Sequence, residues 1–192
     1  VAKDRCDIYG LKVDLLKLSA ARVHETFGTG TFDFVIMSAS LEHMTSAERL
    51  AALQGAWHIL SPGGMLAVVD TPNRLWYFDE HTSMLPFYHW LPNDLAFQYS
   101  RFSPRENFRG VYTEYNTASK EHFLRRGRGV SFHEFDIAIK PATKLAVVSS
   151  LSSFKGVVRK LLAPRSKRKY KALLMAACPG IHEGFFDPSL DI

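Results

Sequence analysis

The sequence predicts an α/β fold with a mostly parallel sheet and helices on both faces. Residues 32–38 and 65–70 are apolar runs with little polar alternation, which is typical of strands buried on both faces of a parallel sheet. The stretch between them carries apolar residues at helical spacing. Strand, helix and strand form a βαβ unit whose crossover is nearly always right-handed, so the two strands run in the same direction.

The helix of this unit has clear boundaries. Thr45 and Glu48 are spaced as a capping box, in which each side chain satisfies a free backbone amide of the first turn. The segment "SPGG" at 61–64 is expected to end the helix. The apolar face is formed by Leu50, Leu53, Trp57 and Leu60.

Further elements are predicted on both sides of the βαβ unit. They are a strand over 12–18, a helix over 118–126 that ends at Gly127, a strand over 130–139 with a bulge near Glu134, an amphipathic helix over 154–162 and the start of a last strand in 185–192. We expect a partial domain over 1–140 and a basic helical extension with the start of the last strand over 141–192.

Residues 75–116 form an aromatic-rich, irregular insertion interrupted by prolines. A long insertion after the carboxyl end of a strand is typical of a lid or an acceptor pocket. The alternative is a packed loop subdomain that holds no ligand.

Composition limits the classes of protein. The chain has 192 residues and a net charge of +5, and eight bases but no acid lie within 151–171, so the rest of the chain is slightly acidic. Cys6 and Cys178 lack the spacing of a zinc site or a disulfide framework. No run of eighteen apolar residues and no signal segment is present, so a cytoplasmic location is expected.

The predicted ligand site lies where the two parallel strands end. The segments "SASLEH" at 38–43 and "DTPNR" at 70–74 follow the two strands and must open at the same edge of the sheet. Open α/β sheets bind their ligands at this edge.

The residues at this edge resemble class I S-adenosylmethionine-dependent methyltransferases. Residues 32–44, "FDFVIMSASLEHM", are similar to the fourth strand and LEH turn of that family, and 59–74, "ILSPGGMLAVVDTPNR", to its next helix end, turn and fifth strand. Residues 71–92 resemble a bacterial subset of the family. The resemblance spans about 8–140 and implies a Rossmann-like fold, S-adenosylmethionine as cofactor and methyl transfer.

The resemblance also implies cofactor-binding residues. Ser19 and Ala20 match the turn that borders the adenine, where the family often has an Asp. Ser38 and Ala39 match the strand end beside the methionine part of the cofactor, and Leu41 and His43 lie in the adjoining turn.

The glycine-rich loop of the family and the acid that holds the ribose have no counterpart ahead of residue 8. We therefore expect an internal fragment that lacks the N-terminal strands of the sheet. Such a fragment is expected to bind the cofactor poorly by itself and to be inactive alone.

Catalytic and substrate-binding candidates follow the second strand. Methyl transfer needs alignment, a dry pocket and sometimes a base. His81 is the preferred base and Asp79 is expected to orient it, with loop fixation by hydrogen bonds as the alternative. Asn73, Arg74 and Trp76 are expected to bind the substrate, and the alternative for Asn73 and Arg74 is that they brace the loop.

Glu42 and His43 invite a metal interpretation, because some relatives carry an E-x-x-E-H cluster for a divalent ion. Here the first position is Ala39, so no metal site is predicted. Glu42 is instead expected to cap the following turn or helix.

The predicted activity is methyl transfer to an O or N atom of a small metabolite, sugar or lipid-linked acceptor. The alternatives are a non-catalytic binding or scaffold module and a nucleic-acid methyltransferase. The basic stretch 154–171 is interpreted as a solvated helix face or as a peripheral membrane contact. Nucleic-acid binding is less favoured, because the bases lack interleaved aromatic residues.

Overall fold

The computed structural model of the chain describes residues 2–110, 114–148 and 164–192. The described helices are α1 (Ala2–Ile8), α2 (Ser46–Ile59), α3 (Asn93–Tyr99), α4 (Thr117–Leu124), α5 (Phe132–Ala138) and α6 (Arg165–Ala177). The described strands are β1 (Phe32–Ser38), β2 (Leu60–Val69), β3 (Thr71–Pro72) and β4 (Ser189–Leu190). The α/β class is confirmed.

Strands β1 and β2 and helix α2 form the predicted βαβ unit. The two strands are parallel, with Val35 opposite Leu66 and Met37 opposite Val68. The capping box at Thr45 is present, since its amide donates to Glu48 over 2.9 Å. Strand β2 begins at Leu60, directly after the helix, so "SPGG" lies within the strand and not between two elements.

Within the described residues, the β1–β2 sheet packs on one face only. Val35, Met37, Leu66 and Val68 point into the main core with α2, α5 and the C-terminal segment. The opposite face exposes Phe34, Ile36 and Met65, with Ile36 59% exposed. The prediction that β1 is buried on both faces is therefore wrong within the described residues, because none of their helices covers that second face.

The buried residues of the main core are Met37, Leu41, Ala52, Leu53, Ala56, Val68, Val130, Phe132, Phe135, Ala142, Phe185, Phe186 and Leu190. They come from segments far apart in sequence. This core fixes the position of the strand ends at which the ligand site is expected.

The strand predicted over 12–18 is absent. These residues form no regular secondary structure, and Val13, Leu15 and Leu18 are exposed. A strand is stable only beside a neighbour that accepts its backbone hydrogen bonds. No strand of the described residues runs next to this segment, which explains the difference.

The strand predicted over 130–139 is helix α5 instead. Ser131 begins this helix with a capping box, in which its amide donates to the Glu134 carboxylate over 2.9 Å. Phe132 and Phe135, three residues apart, both enter the main core. The change of phase near Glu134 was the start of a helical period and not a bulge.

We expect Ser131→Ala to lower the free energy of unfolding by about 1 kcal/mol. The Ser131 hydroxyl also donates to Glu134 over 2.8 Å, and this bond is lost in the variant. Urea unfolding followed by circular dichroism measures the change. Ser46→Ala, at the exposed first position of α2, is the control and should change stability by less than about 0.5 kcal/mol. Equal stability of both variants and the native protein would contradict the capping role.

The aromatic insertion is packed around its own core. Its buried residues are Leu85, Tyr88, Ala96, Phe97, Phe108 and Phe123, the last of which comes from α4. Helix α4 confirms the helix predicted before Gly127, where the backbone φ is +125°. The packing matches the loop-subdomain alternative, and the structure does not test whether the insertion holds a ligand.

The C-terminal residues pair with strands β2 and β3. Strand β4 pairs antiparallel with β3, and Ile192 exchanges two backbone hydrogen bonds with Val68. The predicted last strand therefore begins here. The amphipathic helix predicted over 154–162 lies outside the described residues, and the domain boundaries stay predictions. Among the described residues, no helix is long and apolar enough to cross a membrane.

Candidate active site

Strands β1 and β2 end side by side at the predicted edge. Ser38 lies opposite Val69, and the Ala39 amide donates to the Val69 carbonyl over 3.0 Å. Ala39 and Asp70, the residues that follow each strand, have φ of +44° and +54°. Left-handed backbone at residues other than glycine is uncommon and collects at functional sites. The segment after each strand therefore turns sharply away from the sheet, and the edge of the sheet stays open to solvent.

Glu42 lies in the turn after β1 and is completely buried. Within the described part of the chain, neither of its carboxylate oxygens has a hydrogen-bond partner. Without a hydrogen bond, Glu42 does not cap a turn or a helix. The carboxylate that caps α2 is that of Glu48. The expected capping role of Glu42 is therefore wrong.

Two imidazole rings face the Glu42 carboxylate. Nε2 of His43 lies 3.8 Å from Glu42 Oε1, and Nε2 of His81 lies 3.9 Å from the same atom. Both distances are too long for hydrogen bonds. The His43 and His81 side chains are 47% and 42% exposed. The structure thus brings together two of the predicted site residues around a carboxylate that was expected to be structural.

A hydrogen bond from Nδ1, the ring nitrogen that does not face Glu42, fixes the orientation of His43. Nδ1 of His43 lies 2.8 Å from the Arg125 carbonyl oxygen, which only accepts hydrogen bonds, so Nδ1 carries a proton. In neutral His43 the Nε2 lone pair consequently points toward Glu42. Nδ1 of His81 lies 3.1 Å from the Thr82 hydroxyl.

Asp79 is buried and does not orient the His81 ring. Its carboxylate accepts hydrogen bonds from the amides of His81, Thr82 and Ser83, over 2.6–2.9 Å, and from the Ser83 hydroxyl. Burial alone would raise the pKa of Asp79, but the contact with His89 and the amide donors outweigh it and hold the pKa well below the usual range. The predicted pairing with the His81 ring is corrected: Asp79 fixes the loop.

His89 is the imidazole that Asp79 contacts. Nδ1 of His89 accepts a hydrogen bond from the Gly129 amide over 3.1 Å, so the proton of the neutral ring lies on Nε2, 3.2 Å from Asp79 Oδ1. Burial lowers the pKa of His89, and the neighbouring Asp79 carboxylate only partly offsets this shift. With His89 only 2% exposed, this pair is structural.

Two buried arginines hold the turns around the edge. Arg49 of α2 donates to the carbonyls of Leu41, Gly129 and Arg128 over 3.1 Å each, and to Glu134 over 2.9 Å. Arg128 donates to the Tyr88 and Leu91 carbonyls of the insertion. Arg49 therefore ties the Glu42 turn to α5, and Arg128 ties the insertion to the same framework.

The three predicted substrate-binding residues have different surroundings. Asn73 and Trp76 are buried, and their side chains donate to the backbone carbonyls of Phe185, Phe186 and Asp187. These contacts brace the C-terminal segment, and substrate binding by Asn73 and Trp76 stays a prediction. Among the described residues, none accepts a hydrogen bond from the Arg74 guanidinium.

Arg74 lines an open cavity of about 500 Å³ between α2, α5 and the insertion. The other lining residues include Leu50, Trp90, His133, Glu134 and Ile137, and the Glu134 carboxylate among them is paired with Arg49. Burial lowers the pKa of Arg49 and Arg128, and the positive charge of Arg74 lowers both further. An anionic ligand group next to Arg74 would relieve this repulsion.

The predicted cofactor residues are placed as follows. Ser38 and Ala39 are exposed at the strand edge, and His43 lies beside Glu42. The Leu41 side chain is fully buried in the main core, and its contact with a cofactor stays a prediction. Ser19 is exposed and Ala20 packs on the main core, so their contact with an adenine stays a prediction.

The edge fits the methionine end of S-adenosylmethionine in one observable respect. The unpartnered Glu42 carboxylate suits a ligand that brings positive charge. Within the described residues, no group of three His, Cys, Asp or Glu side chains has the geometry to hold a metal ion.

Glu42 is the residue whose importance sequence analysis missed. The sequence feature that indicates a site is a carboxylate between Leu41 and His43 in the turn that follows a strand. The same signal fits a helix cap, and only the tertiary structure shows that the carboxylate has no partner.

The basic helix α6 lies against the start of the insertion. Lys167 forms an ion pair with Glu80, Lys171 with Asp187, and Tyr170 donates to the Leu75 carbonyl. Arg168 and Lys169 are exposed. Any test of membrane or nucleic-acid contact should therefore change Arg168 and Lys169 and leave Lys167 in place.

Comparison with known proteins agrees with the resemblance. Residues 1–68 match the family model of the methyltransferase domain. A stretch of 44 residues is 43% identical to an uncharacterized methyltransferase of Synechocystis sp., and covers 23% of this chain and 21% of that protein. The match thus spans about a fifth of the relative. No solved structure matches the chain.

These matches confirm the resemblance to class I S-adenosylmethionine-dependent methyltransferases, with residues 1–68 similar to a methyltransferase domain. Proteins with this domain transfer methyl groups and generally use S-adenosylmethionine. The parallel β1–β2 pair with its α2 crossover agrees with a Rossmann-like fold.

Proposed function

We propose that the protein transfers a methyl group from S-adenosylmethionine to an O or N atom of a small metabolite, sugar or lipid-linked acceptor. The observation that carries this proposal is the open edge where β1 and β2 end together, with Ser38, Ala39 and the Glu42 cluster gathered there. This edge includes part of the segment that matches the methyltransferase domain.

The chain's own residues contribute position and charge. When bound, S-adenosylmethionine supplies a methyl group on a positively charged sulfur. Ser38 and Ala39 border its methionine part, and Ser19 and Ala20 its adenine. His81, half-exposed next to Glu42, remains our candidate for the group that accepts a proton from the acceptor.

The acceptor is assigned to the cavity lined by Arg74. This residue follows β3 closely, so the cavity opens near the edge where the strands end. The guanidinium is free for an anionic or carbonyl group of the acceptor, and Trp90 offers an aromatic surface on which a ring can pack.

Transfer of a labelled methyl group tests this function. The product of the whole gene is incubated with S-adenosylmethionine and panels of small hydroxyl and amine metabolites, sugars and lipid-linked sugars. We expect transfer to at least one class. For that acceptor, Arg74→Met should raise KM by about tenfold with little change in kcat, because it removes about 1.4 kcal/mol of binding.

Lys144→Met, at an exposed position outside the cavity, is the control and should leave KM unchanged. A protein that binds S-adenosylmethionine but methylates no panel would support the non-catalytic module instead.

A further inference from the structure

Glu42 has an environment that a purely structural residue does not need. Its carboxylate is fully buried, and its two oxygens have no hydrogen-bond donor among the described residues. Burial of a charged group without a partner is costly, so such groups are normally paired. The buried cation Arg49 attracts Glu42 electrostatically, but it directs its hydrogen-bond donors to backbone carbonyls and to Glu134.

The rings next to Glu42 do not satisfy it. His43 and His81 direct Nε2 atoms toward Oε1 from 3.8 and 3.9 Å, beyond hydrogen-bond distance. Because Nδ1 of His43 donates to the Arg125 carbonyl, neutral His43 presents only a lone pair to the carboxylate. A buried carboxylate that faces the lone pair of a half-exposed imidazole favours a positively charged group nearby.

The position of Glu42 indicates which positively charged group is expected next to its carboxylate. Glu42 lies four residues beyond Ser38, the last residue of β1, at the edge where parallel sheets bind ligands. The half-exposed His43 and His81 rings lie next to its carboxylate, so a ligand at the edge sits close to it. S-adenosylmethionine carries two cationic centres, the sulfonium and the α-ammonium, and both belong to its methionine part.

We propose that the Glu42 carboxylate, flanked by His43 and His81, is the counter-ion for a cationic centre of the bound cofactor's methionine part. This inference rests on the proposed function, since it assumes that the cofactor binds at this edge. The unpaired carboxylate makes the free protein less stable, and the bound cation removes that cost.

Two variants of Glu42 test the proposal. Glu42→Gln keeps the shape and removes the charge, and Glu42→Met also removes the buried polar atoms. Thermal unfolding without ligand needs no activity. We expect Glu42→Met to raise the midpoint by about 3 °C or more, because an uncompensated buried charge is lost. A lower midpoint would overturn the proposal, since it would show that the carboxylate makes stabilising bonds.

Ligand binding by the product of the whole gene identifies the cation. The probes are S-adenosylmethionine, S-adenosylhomocysteine, which lacks the sulfonium, and 5′-methylthioadenosine, which lacks both cationic centres. We expect both variants to weaken S-adenosylmethionine binding by about tenfold, or 1.4 kcal/mol, and to leave 5′-methylthioadenosine unchanged. Equal weakening of S-adenosylhomocysteine identifies the ammonium, whereas its unchanged binding identifies the sulfonium.

Unchanged S-adenosylmethionine affinity in both variants would overturn the proposal, and so would equal weakening of all three probes. Absence of binding to the native protein would instead overturn the proposed function, and the counter-ion with it. Glu106→Met, which removes an exposed acid of the insertion, is the control and should change neither the midpoint nor any affinity.

Discussion

Replacement of Arg49 by Met is expected to lower the free energy of unfolding by about 3–5 kcal/mol. The guanidinium is 2% exposed and donates to the Leu41, Gly129 and Arg128 carbonyls and to Glu134. Met fills a similar length but leaves these buried acceptors without donors. Urea unfolding measures the loss, and a decrease below about 1 kcal/mol would contradict the bridging role of Arg49.

The double variant Arg49→Met/Glu134→Gln separates the ion pair from the carbonyl contacts. We expect it to lose less stability than the sum of the two single variants, because Glu134 is no longer left unpaired. Arg22→Met is a matched control, since the Arg22–Glu25 pair is exposed and its loss should leave stability nearly unchanged.

Replacement of Asp79 by Asn is expected to lower the free energy of unfolding by about 2–4 kcal/mol. The carboxylate accepts four hydrogen bonds from backbone amides and the Ser83 hydroxyl, and lies 3.2 Å from His89 Nε2. An Asn side chain places an NH2 group against at least one of these donors. Thermal unfolding with near-UV circular dichroism, which reports the aromatic insertion, measures the loss.

The pH dependence gives a second readout for Asp79. Its folded pKa lies below the unfolded value, so its stabilisation is complete above pH 4 and is lost as the pH falls toward the folded pKa. Asp79→Asn should therefore flatten the loss of stability below about pH 4. The pKa of Glu48 is lowered to about 2, mainly by Arg125, so the variant should still lose some stability in acid as Glu48 is protonated. An unchanged acid profile would contradict the ionised, hydrogen-bonded state of Asp79.

Local signals in the sequence predicted the central fold well. The capping box at Thr45, helix α2 and strand β1 were predicted from short-range patterns, and the structure contains all three. The predicted apolar face of α2 is only partly reproduced, because Leu53 is buried but Trp57 is 40% exposed and Leu60 begins β2. The same kind of signal at Ser131 and Glu134 marks α5, but the alternating apolar residues there indicated a strand. A capping box was the stronger of two conflicting local signals.

Features that depend on distant partners were not predictable. The strand expected over 12–18 needs a neighbouring strand, and exposure of Phe34 and Ile36 depends on what covers the second face of the sheet. Neither can be inferred from a single segment. Periodicity reports which residues are able to be buried, not which partner buries them.

The candidate site was likewise predictable where it depends on local sequence and not where it depends on distant partners. The edge formed by Ser38 and Ala39 follows from the βαβ unit, and His81 does lie near it. Asp79 was chosen as its partner because it is close in sequence, but the turn directs that carboxylate to backbone amides and His89. The group that faces His81 is Glu42, from the other strand end, which only tertiary packing reveals.

Calorimetric titration with S-adenosylmethionine tests the central claim most directly. It is performed on this chain and on the product of the whole gene that encodes it. We expect the whole-gene product to bind S-adenosylmethionine and this chain alone to bind it more weakly or not at all. Absence of binding in both proteins would contradict a methyltransferase and favour a non-catalytic module with the same fold.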